Sequence, residues 1–356
     1  MANVSGSAMW AKLINYFFLF PLFYLQTACG ATMATKFDWQ ATESAPEHFL
    51  MQIIRGDFYF PKEGSLYVPN KKILHHGWGK GVSTHIVGAD TKPLPERLDI
   101  SFFSYTENQF YKGSFKLPYD KILKLFQQGY YSPKIEEQTT FFEVVAGVAP
   151  GGHVSVWLNG IDKTIEVYAG QAEKTELDWK EINNNPKYHR DEYVRLNLEE
   201  SLTLEERQSL KQNGIPIGLW ESYRKTFPWQ PVFTGLDAPK LIDRVSYFNG
   251  EEEYLNLPLD KEHIGKLFAI PKEMVFNWEW PKGQPLVFKL FFNEAEIFHA
   301  FNNLGANGEP LQLVFRMLLN EEGKTLFSIW LKNEKDAIFL KNTKLKNYAI
   351  PQKVKN

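Results

Sequence analysis

The chain has 356 residues, enough for two domains of ordinary size, and a formal net charge of -2. A nearly neutral chain lacks the basic surface that nucleic acids and anionic membranes attract, so its overall charge indicates neither as a partner. Aromatic residues make up 15% of the chain, which favours β-rich structure because flat side chains pack well on pleated surfaces.

The first residues have the features of a secretory signal peptide, which we predict over residues 1–28. Lys12 precedes an apolar run at residues 13–25. This run fits the about 7–15 residues of a signal peptide and is shorter than the ~20 residues that span a bilayer. The segment before Lys12 is long and uncharged, so Met9 is an alternative start.

Cys29, the only cysteine, follows this run directly after Ala28. The junction is similar to a bacterial lipobox, in which the thiol is acylated and becomes the new N-terminus. The lipobox has an aliphatic residue three positions before the cysteine, where this chain has Gln26 and carries Leu25 one place earlier. We predict lipidation at Cys29, with ordinary cleavage nearby as the alternative. Gly30 provides no acidic retention signal, which by resemblance to bacterial lipoproteins indicates the outer membrane.

Residues 30–177 predict a first β-rich module. Two alternating runs, 98–105 and 109–115, flank a polar turn and are typical of a hairpin. Residues 120–126 predict a short helix, because a proline precedes them and a glycine follows. Residues 152–160 alternate between apolar and polar side chains from one glycine to the next, which predicts a strand with one buried face.

Two short motifs occur in the same order in both halves. Leu-Pro-x-Asp-Lys occurs at 117–121 and 257–261, and Ser-x-Trp-Leu occurs at 155–158 and 328–331. We therefore predict that residues 236–356 form a second, diverged β-rich module. The predicted fold class is α+β, with two related antiparallel-sheet modules, each with a short helix, joined by a helical connector.

Residues 178–235 form the predicted connector. Thr203 and Glu206 make a capping box that opens a helix, and Gly214 ends it. One or two further helical turns are predicted at residues 218–225. The partner-binding candidates here are Trp220, Tyr223, Arg224 and Trp229, which are of the types that dominate interface hot spots. The alternative is that these rings hold the connector against the first module.

The loop at residues 75–80 supplies the other partner-binding candidates, which are His75, His76 and Trp78. Adjacent histidines on a strand point to opposite faces and do not easily bind one metal ion. The glycines of residues 77–81 predict a turn instead of a phosphate-binding loop, because residues 82–87 are expected to continue as a strand and not as a helix.

No other pattern predicts chemistry. Glu296 and His299 lie one helical turn apart, but a carboxylate-bridged metal site needs a second such motif, so a helix surface is expected. The chain has no Gly-x-Ser-x-Gly elbow, and export uses its only cysteine. Acidic runs at 136–137 and 251–253 are typical of solvated loops. We therefore predict no catalytic residue, no metal site and no cofactor, and a protein that is not an enzyme.

A family resemblance rests on motifs of structural aromatics and turns. They are the lipobox-like segment, Trp78, Pro95, Ser104-Tyr105, Glu107, Phe110-Tyr111, Leu117-Pro118, Val154, Val156-Trp157-Leu158, Gly218-Leu219-Trp220 and Tyr223-Arg224. On these residues the chain resembles a bacterial lipoprotein family known as a domain of unknown function, number twenty-nine thirty-one, most clearly over residues 30–235. The second module is similar to a diverged copy or to an extension found in longer members.

The resemblance implies a lipid-anchored protein of the Gram-negative periplasm, with the outer membrane as its expected location. Genes of this family tend to neighbour type VI secretion components and their toxic lipase-like effectors, which implies an immunity protein that binds such an effector and blocks its active site. Two alternatives stay open. A ligand-binding lipoprotein for glycan or lipid would have a deep aromatic-lined pocket. An unrecognised hydrolase would have convergent carboxylates or a Ser-His pair with perturbed pKa values.

Overall fold

The structure is a computed structural model that describes residues 34–235, 239, 241–261, 263–278, 286–319, 321–322 and 325–349. The predicted signal peptide, Met9 and Cys29 lie outside the described residues. The described residues belong to one compact unit. No helix in the described ranges has both the length and the apolar composition that crossing a membrane requires.

Strands dominate the first half of the chain. They are β1 (Lys36–Asp38), β2 (Gln40–Ser44), β3 (Met51–Tyr59), β4 (Ser65–Tyr67), β5 (Ile73–Leu74), β6 (Thr91–Pro93), β7 (Arg97–Ser104), β8 (Gln109–Lys116), β9 (Tyr130–Ser132), β10 (Glu137–Thr139), β11 (Glu143–Ala149), β12 (His153–Asn159), β13 (Thr164–Gln171) and β14 (Glu173–Thr175). The helix α1 (Tyr119–Gln128) lies between β8 and β9, and short 3-10 turns occupy Pro150–Gly152 and Trp179–Glu181.

Three helices lead from the first half to the second. They are α2 (Arg190–Ser201), α3 (Leu204–Asn213) and α4 (Leu219–Ser222). The second half contains one helix, α5 (Glu294–Leu304), among its described residues. Its strands are β15 (Thr226–Phe227), β16 (Trp229–Gly235), β17 (Leu241–Tyr247), β18 (Glu252–Asn256), β19 (Phe268–Ala269), β20 (Pro271–Trp278), β21 (Leu286–Phe291), β22 (Leu311–Leu319), β23 (Thr325–Lys332), β24 (Ala337–Phe339) and β25 (Lys344–Ala349).

Most strands belong to three sheets. Sheet I has the order β14-β8-β7-β3-β4, with β5 beside β3; sheet II has the order β2-β11-β12-β13-β18-β17-β20-β21-β25; sheet III has the order β16-β22-β23-β24. Neighbouring strands are antiparallel except for β2 with β11 and β16 with β22, which are parallel. Sheet II therefore runs continuously from the first half of the chain into the second. Three smaller sheets pair β1 with β6, β9 with β10, and β15 with β19.

The predicted fold class is confirmed at its coarser level, since the described chain is mainly β with a few helices and mostly antiparallel sheets. The hairpin predicted at 98–105 and 109–115 is β7 and β8, and the predicted helix is α1, which Pro118 precedes and Gly129 follows. The capping box at Thr203 opens α3.

The strand predicted at residues 152–160 is β12, but the prediction of one buried face is wrong. Val154 and Val156 of this strand pack into a core between sheets I and II, together with Phe102 and Phe126. Trp157 points the other way and is 0% exposed. Both faces are buried because the second half of the chain packs against the side of sheet II that carries Trp157.

Two other local predictions are wrong. The second Leu-Pro-x-Asp-Lys motif, at 257–261, forms a loop and not a helix start, and the helix of the second half follows β21 instead. Local side-chain contacts compete with helix formation there, because the Asp260 carboxylate accepts from Asn256 and lies 2.6 Å from His263. Residues 82–87 form no strand. The Val82 N–H donates to the Glu43 carbonyl on β2 and to the Thr42 hydroxyl, and the next amide, that of Ser83, donates to the Thr42 hydroxyl and not to a strand backbone.

Candidate functional site

Most of the predicted partner-binding aromatic residues are buried. Trp220, Trp229 and Trp78 are 1%, 2% and 8% exposed, and Tyr223 is 8% exposed. The Trp220 ring centroid lies 5.4 Å from that of Phe49 and 6.4 Å from that of Trp78, both in the first half. Trp220 thus packs the connector onto the first half, as the alternative interpretation holds, and these rings are not surface contacts in this structure. Tyr223 and Trp229 instead pack against rings of the second half, Phe248 and Phe298 for Tyr223 and Phe268 and Phe301 for Trp229.

Arg224, the charged candidate in this group, joins a polar cluster on β12 and β13. Its Nε donates to one oxygen of Glu166 at 2.8 Å, and the Ser155 hydroxyl donates to the other oxygen at 2.7 Å. The His153 Nε2 atom lies 3.2 Å from the Ser155 Oγ. Burial raises the pKa of Glu166, although Ser155 and Arg224 stabilise its ionised form. Burial also lowers the pKa of His153 to about 4.

This cluster has the residue types of a hydrolase without their arrangement. In a Ser-His-acid triad the histidine lies between the serine and the acid, so that it removes the serine's proton. Here Ser155 lies between His153 and Glu166, and Ser155 is 0% exposed. The backbone N–H of Glu166 also donates to Glu251 of the second half at 3.0 Å. The cluster therefore joins the two halves and presents no accessible nucleophile.

A second buried polar cluster holds the loop after β18. The Glu253 carboxylate accepts from Tyr247 at 2.9 Å and from the Lys266 ammonium at 2.9 and 2.7 Å. His263 lies between two carboxylates, with Nε2 3.2 Å from Glu253 and Nδ1 2.6 Å from Asp260. Only the protonated imidazole donates from both nitrogens, so this geometry favours the imidazolium form. Burial lowers the pKa of His263, but the two carboxylates outweigh it and raise the pKa overall.

His75 and His76 lie in the loop that follows β5. Their ring centroids are 4.9 Å apart, so the prediction that they point to opposite faces is wrong. The reason is that the strand ends at Leu74, before the pair. Burial and the neighbouring His76 lower the pKa of His75. Within the described part of the chain, no three His, Cys, Asp or Glu side chains are placed to hold a metal ion.

Glu296 and His299 lie on α5 as expected, and each bonds to a nearby amide group. The Glu296 carboxylate accepts from the backbone N–H of Asn342 at 3.0 Å, and His299 Nε2 lies 2.9 Å from the Asn303 side chain. Each side chain thus has a hydrogen-bonding role on the protein surface.

A groove of about 710 Å³, here called the α2–α3 groove, lies beside the two longer helices of the connector. It lies between α2, α3, the turn that joins β7 to β8, and the segment after α3. Its lining is Thr106, Glu107, Asn108, Asp191, Val194, Arg195, Leu198, Glu199, Leu202, Arg207, Leu210, Lys211, Gly214, Ile215 and Ile217. Its buried lining, the floor, is aliphatic and its exposed lining, the rim, is mostly charged, a mixture that is typical of binding pockets.

Tertiary contacts hold α2 against sheet I and so build one wall of the groove. Val194 of α2 and Leu202, which directly follows the helix, are buried against Phe103 and Phe110 of the β7–β8 hairpin. At the start of the helix, the Arg190 guanidinium donates to Asn108 in the connecting turn and lies 4.9 Å from the Phe110 ring. Because these contacts fix both ends of α2, the groove rests on a rigid sheet.

The other wall is α3, and its sequence explains its start and its end. Thr203 accepts from the backbone N–H of Glu206 at 3.2 Å, while the Glu206 carboxylate accepts from the backbone N–H of Thr203 at 2.7 Å. This capping box satisfies two amide groups at the helix start. Gly214 ends the helix with φ at +71°, a conformation that favours glycine.

The charges of the rim are unequally paired. Arg195 bonds to Glu199 at 2.7 Å, Asp191 accepts from Asn108 at 2.8 Å, and the Glu107 carboxylate accepts from the Tyr111 hydroxyl and the Gly151 amide. By contrast, the buried Nε atom of Arg207 has no hydrogen-bond partner in the described structure. Lys211 has no carboxylate within ion-pair distance among the described residues. The lining thus carries three cations and three carboxylates, so its net charge is zero, and Arg207 and Lys211 are its cations without an ion pair among the described residues.

The sequence analysis missed this groove. Its lining comes from 106–108 and from 191–217, two segments that lie far apart in the chain, and helix α2 was not predicted. The available signal is the spacing of Val194, Leu198 and Leu202, which places three aliphatic residues on one face of a helix. None of the predicted partner-binding residues lines the groove.

Comparison with known families gives a match to a family model described as a protein of unknown function (DUF2931), over residues 26–218. The match covers more than half of the chain and includes every residue that lines the α2–α3 groove. The chain belongs to this family, as the resemblance predicted. No curated protein and no solved structure matched the chain.

Proposed function

We propose that this member of the family is an exported envelope protein that acts by binding a protein partner in the α2–α3 groove. The observation that carries this proposal is the groove itself, with an aliphatic floor and a charged rim on a rigid sheet. Grooves of this composition bind the apolar face of an amphipathic helix. The groove also lies wholly inside the segment that defines the family.

Two cations bear on the chemistry of the partner. Arg207 is half-buried and Lys211 is exposed, and neither has an ion pair among the described residues. An acidic side chain on the incoming segment would pair with the accessible part of the Arg207 guanidinium or with Lys211. The partner therefore presents aliphatic side chains flanked by Asp or Glu.

The proposed cellular location of the protein is argued from its leader sequence, and the proposed identity of its partner from the family resemblance. Acylation of Cys29 would anchor the chain in the periplasm, at the outer membrane, because Gly30 lacks an acidic retention signal. The partner proposed from the resemblance is a secreted antibacterial effector of the type VI system with lipase-like activity. The chain is then its immunity protein, and it neutralises the effector without chemistry of its own.

A lipid ligand is the second candidate function. The groove volume of about 710 Å³ falls in the range of about 300–1,000 Å³ typical of small-molecule sites, and its aliphatic floor suits an acyl chain. A glycan has less support, because sugars stack on aromatic rings and the groove lining has none among its described residues. A hydrolase has least support, because Ser155 is buried and His153 does not lie between it and the acid.

We infer further that the chain consists of two related modules. The strand order β14-β8-β7-β3-β4 of the first half corresponds to β25-β21-β20-β17-β18 of the second, and β2-β11-β12-β13 corresponds to β16-β22-β23-β24. The first pair of each four-stranded set is parallel. In both sets Trp of the Ser-x-Trp-Leu motif lies opposite a valine, Val145 for Trp157 and Val314 for Trp330. On this alignment β16 belongs to the second module and α5 corresponds to α1.

A matched pair of groove variants tests the binding proposal. Ile217 lines the groove and is 62% exposed, whereas Leu204 lies on α3 outside the groove and is 63% exposed. Both side chains are replaced by glutamate in a strain that expresses the toxic product of the neighbouring gene. We expect Ile217→Glu to lose protection and Leu204→Glu to keep it, because only the first places a charge in the groove.

Three outcomes distinguish the alternatives. Protection by both variants would contradict the groove as the binding site. Survival of the toxin-expressing strain with a chain that lacks residues 1–29 would contradict the periplasmic location. Native mass spectrometry of the purified wild type reports a retained lipid directly, and a lipid that Ile217→Glu loses and Leu204→Glu retains would favour the second candidate.

A further inference from the structure

Sheet III carries a row of four apolar side chains on its outer face, here called the apolar strip, in which Phe339 is exposed, Val232 and Trp330 are half-buried and Val314 is 7% exposed. Val232, Val314, Trp330 and Phe339 lie directly opposite one another on its four strands. Trp330 packs against Phe339 with ring centroids 4.9 Å apart, and Phe339 is 45% exposed. Leu326, nearby on the same face, is 53% exposed. Contiguous exposed apolar rows of this kind mark interaction surfaces.

The corresponding row of the first half is an interface inside the chain. It consists of Thr42, Val145, Trp157 and Glu166. Trp157 is 0% exposed, because Trp78 packs edge-on against it at 4.7 Å and the tip of the β17–β18 hairpin covers it. The indole N–H of Trp157 donates to the carbonyl of Asn249 in that tip at 3.1 Å. A hairpin tip of the second half thus closes the strip of the first.

The β3–β4 hairpin is the first-half counterpart of the β17–β18 hairpin. The two hairpins hold the same place in the corresponding five-strand orders, beside β7 and β20, although β4 is an edge strand whereas β18 also pairs with β13. Strand β3 ends at Tyr59 and is followed by Phe60, and strand β17 ends at Tyr247 and is followed by Phe248. Each Tyr-Phe pair leads into a turn that contains a glycine with positive φ. The tip of the β3–β4 hairpin, residues 61–64, is exposed. Each chain therefore presents the apolar strip in one half and an uncovered hairpin tip in the other.

We propose that a second copy of this chain docks its β3–β4 hairpin tip on the apolar strip of sheet III. The contact repeats between chains the one that the β17–β18 hairpin makes within a chain. It joins two different surfaces, so the association is head-to-tail and leaves a free strip and a free tip for further copies. The proposal depends on the equivalence of the two modules and is independent of what binds in the α2–α3 groove.

Sedimentation velocity of residues 34–356, whose described part belongs to one compact unit, tests this proposal. Wild type is expected to gain mass with concentration. Phe339→Arg blocks the strip and Glu63→Cys, modified with a polyethylene glycol maleimide, blocks the tip. The modification is specific because Cys29 is the only natural cysteine and lies outside this segment. Each blocked protein is expected to sediment as a single chain, and Leu204→Cys with the same modification is expected to behave as wild type.

Mixing the two blocked proteins provides the decisive result. The strip of one and the tip of the other remain intact, so the mixture is expected to form a one-to-one complex and nothing larger. If the wild-type protein sediments as a single chain at every concentration, the proposal is overturned. Dimerisation of the tip-blocked protein alone also overturns it and would indicate strip-to-strip pairing. If Phe339→Arg fails to fold, Leu326→Arg replaces it, because that side chain is more exposed. Groove variants leave these masses unchanged, so failure here is distinct from failure of the binding proposal.

Discussion

The Glu253 cluster offers a stability prediction with a magnitude and a pH profile. We consider Glu253→Gln, which keeps the shape of the side chain and one acceptor oxygen but removes the charge. Glu253 is 7% exposed and accepts hydrogen bonds from Tyr247, His263 and Lys266. Burial opposes its ionisation, but hydrogen bonds from His263 and the Lys266 ammonium outweigh burial and lower its pKa to about 2.

The size of the effect follows from that pKa. The ordinary value is 4.5 and the folded value is about 2, and one pKa unit corresponds to about 1.4 kcal/mol, so the ionised carboxyl contributes about 3 kcal/mol at neutral pH. Because the pKa of Glu253 is lower in the folded than in the unfolded protein, its ionised carboxylate stabilises the fold above the unfolded-state pKa. This stabilisation is lost as pH falls towards the folded-state pKa. Glu253→Gln is therefore expected to cost about 3 kcal/mol near pH 7 and about 1 kcal/mol near pH 3.

His263 adds a dependence at higher pH. The pKa of His263 in the folded protein is raised above the ordinary 6.5. The protonated ring therefore contributes its full stabilisation below pH 6.5, and this stabilisation is lost as pH rises through the folded-state pKa. The variant removes one of the two carboxylates that flank the ring, so its His263 should titrate at lower pH than the wild-type residue. The difference in unfolding free energy between wild type and variant is then largest between the ordinary pKa of glutamate, 4.5, and that of histidine, 6.5.

Chemical denaturation at several pH values measures this difference. Glu252→Gln is the matched control, because Glu252 is the preceding residue on β18 and its side chain is 29% exposed where that of Glu253 is 9% exposed. Its carboxylate bonds to Ser246 on the other face of the strand. A gap between wild type and Glu253→Gln that stays constant with pH would refute the reasoning, because it would arise from packing and not from ionisation.

Three further predictions test other parts of the structure. Gly147→Ala should cost about 1–3 kcal/mol in thermal unfolding, since an added Cβ would lie 2.3 Å from Trp157; a loss within error would contradict that packing. Thr203→Ala should cost about 1 kcal/mol by loss of the capping box with Glu206, and Thr203→Ser should restore it. Cys29→Ser should release the protein from the membrane fraction, and mass spectrometry of the N-terminus should show no acyl chains; continued membrane retention would contradict lipidation at this residue.

The sequence was most informative where local chemistry decides the structure. The β7–β8 hairpin, α1 and the capped start of α3 each depend on residues within a few positions of one another, and all were predictable. Helix α2 was not, because its sequence is polar and its stability comes from Arg190 on Asn108 and from Val194 on sheet I. The groove needs both helices and a distant turn, so no local pattern indicates it.

The partner-binding candidates show the same limit. Tryptophan, tyrosine and arginine near one another are typical of hot spots, but the same residues are typical of a packed junction between two parts of a chain. Trp220 and Trp229 have the second role here. What decides between the roles is whether another element covers the rings, and that element, the second half of the chain, lies far away in sequence.

The two Ser-x-Trp-Leu strands differ at one neighbouring residue that reflects whether their tryptophan is covered by another part of the chain. The residue opposite Ser155 on the neighbouring strand is Gly147, and the residue opposite Ser328 is Arg316. Gly147 is buried beneath the Trp157 and Trp78 rings, which leave no room for a Cβ, whereas Arg316 is exposed. A glycine in the middle of a strand weakens it unless a close approach requires it. The glycine opposite Ser155 is therefore required by the two rings that cover it, whereas the arginine opposite Ser328 lies on a face that is open to solvent or to a partner.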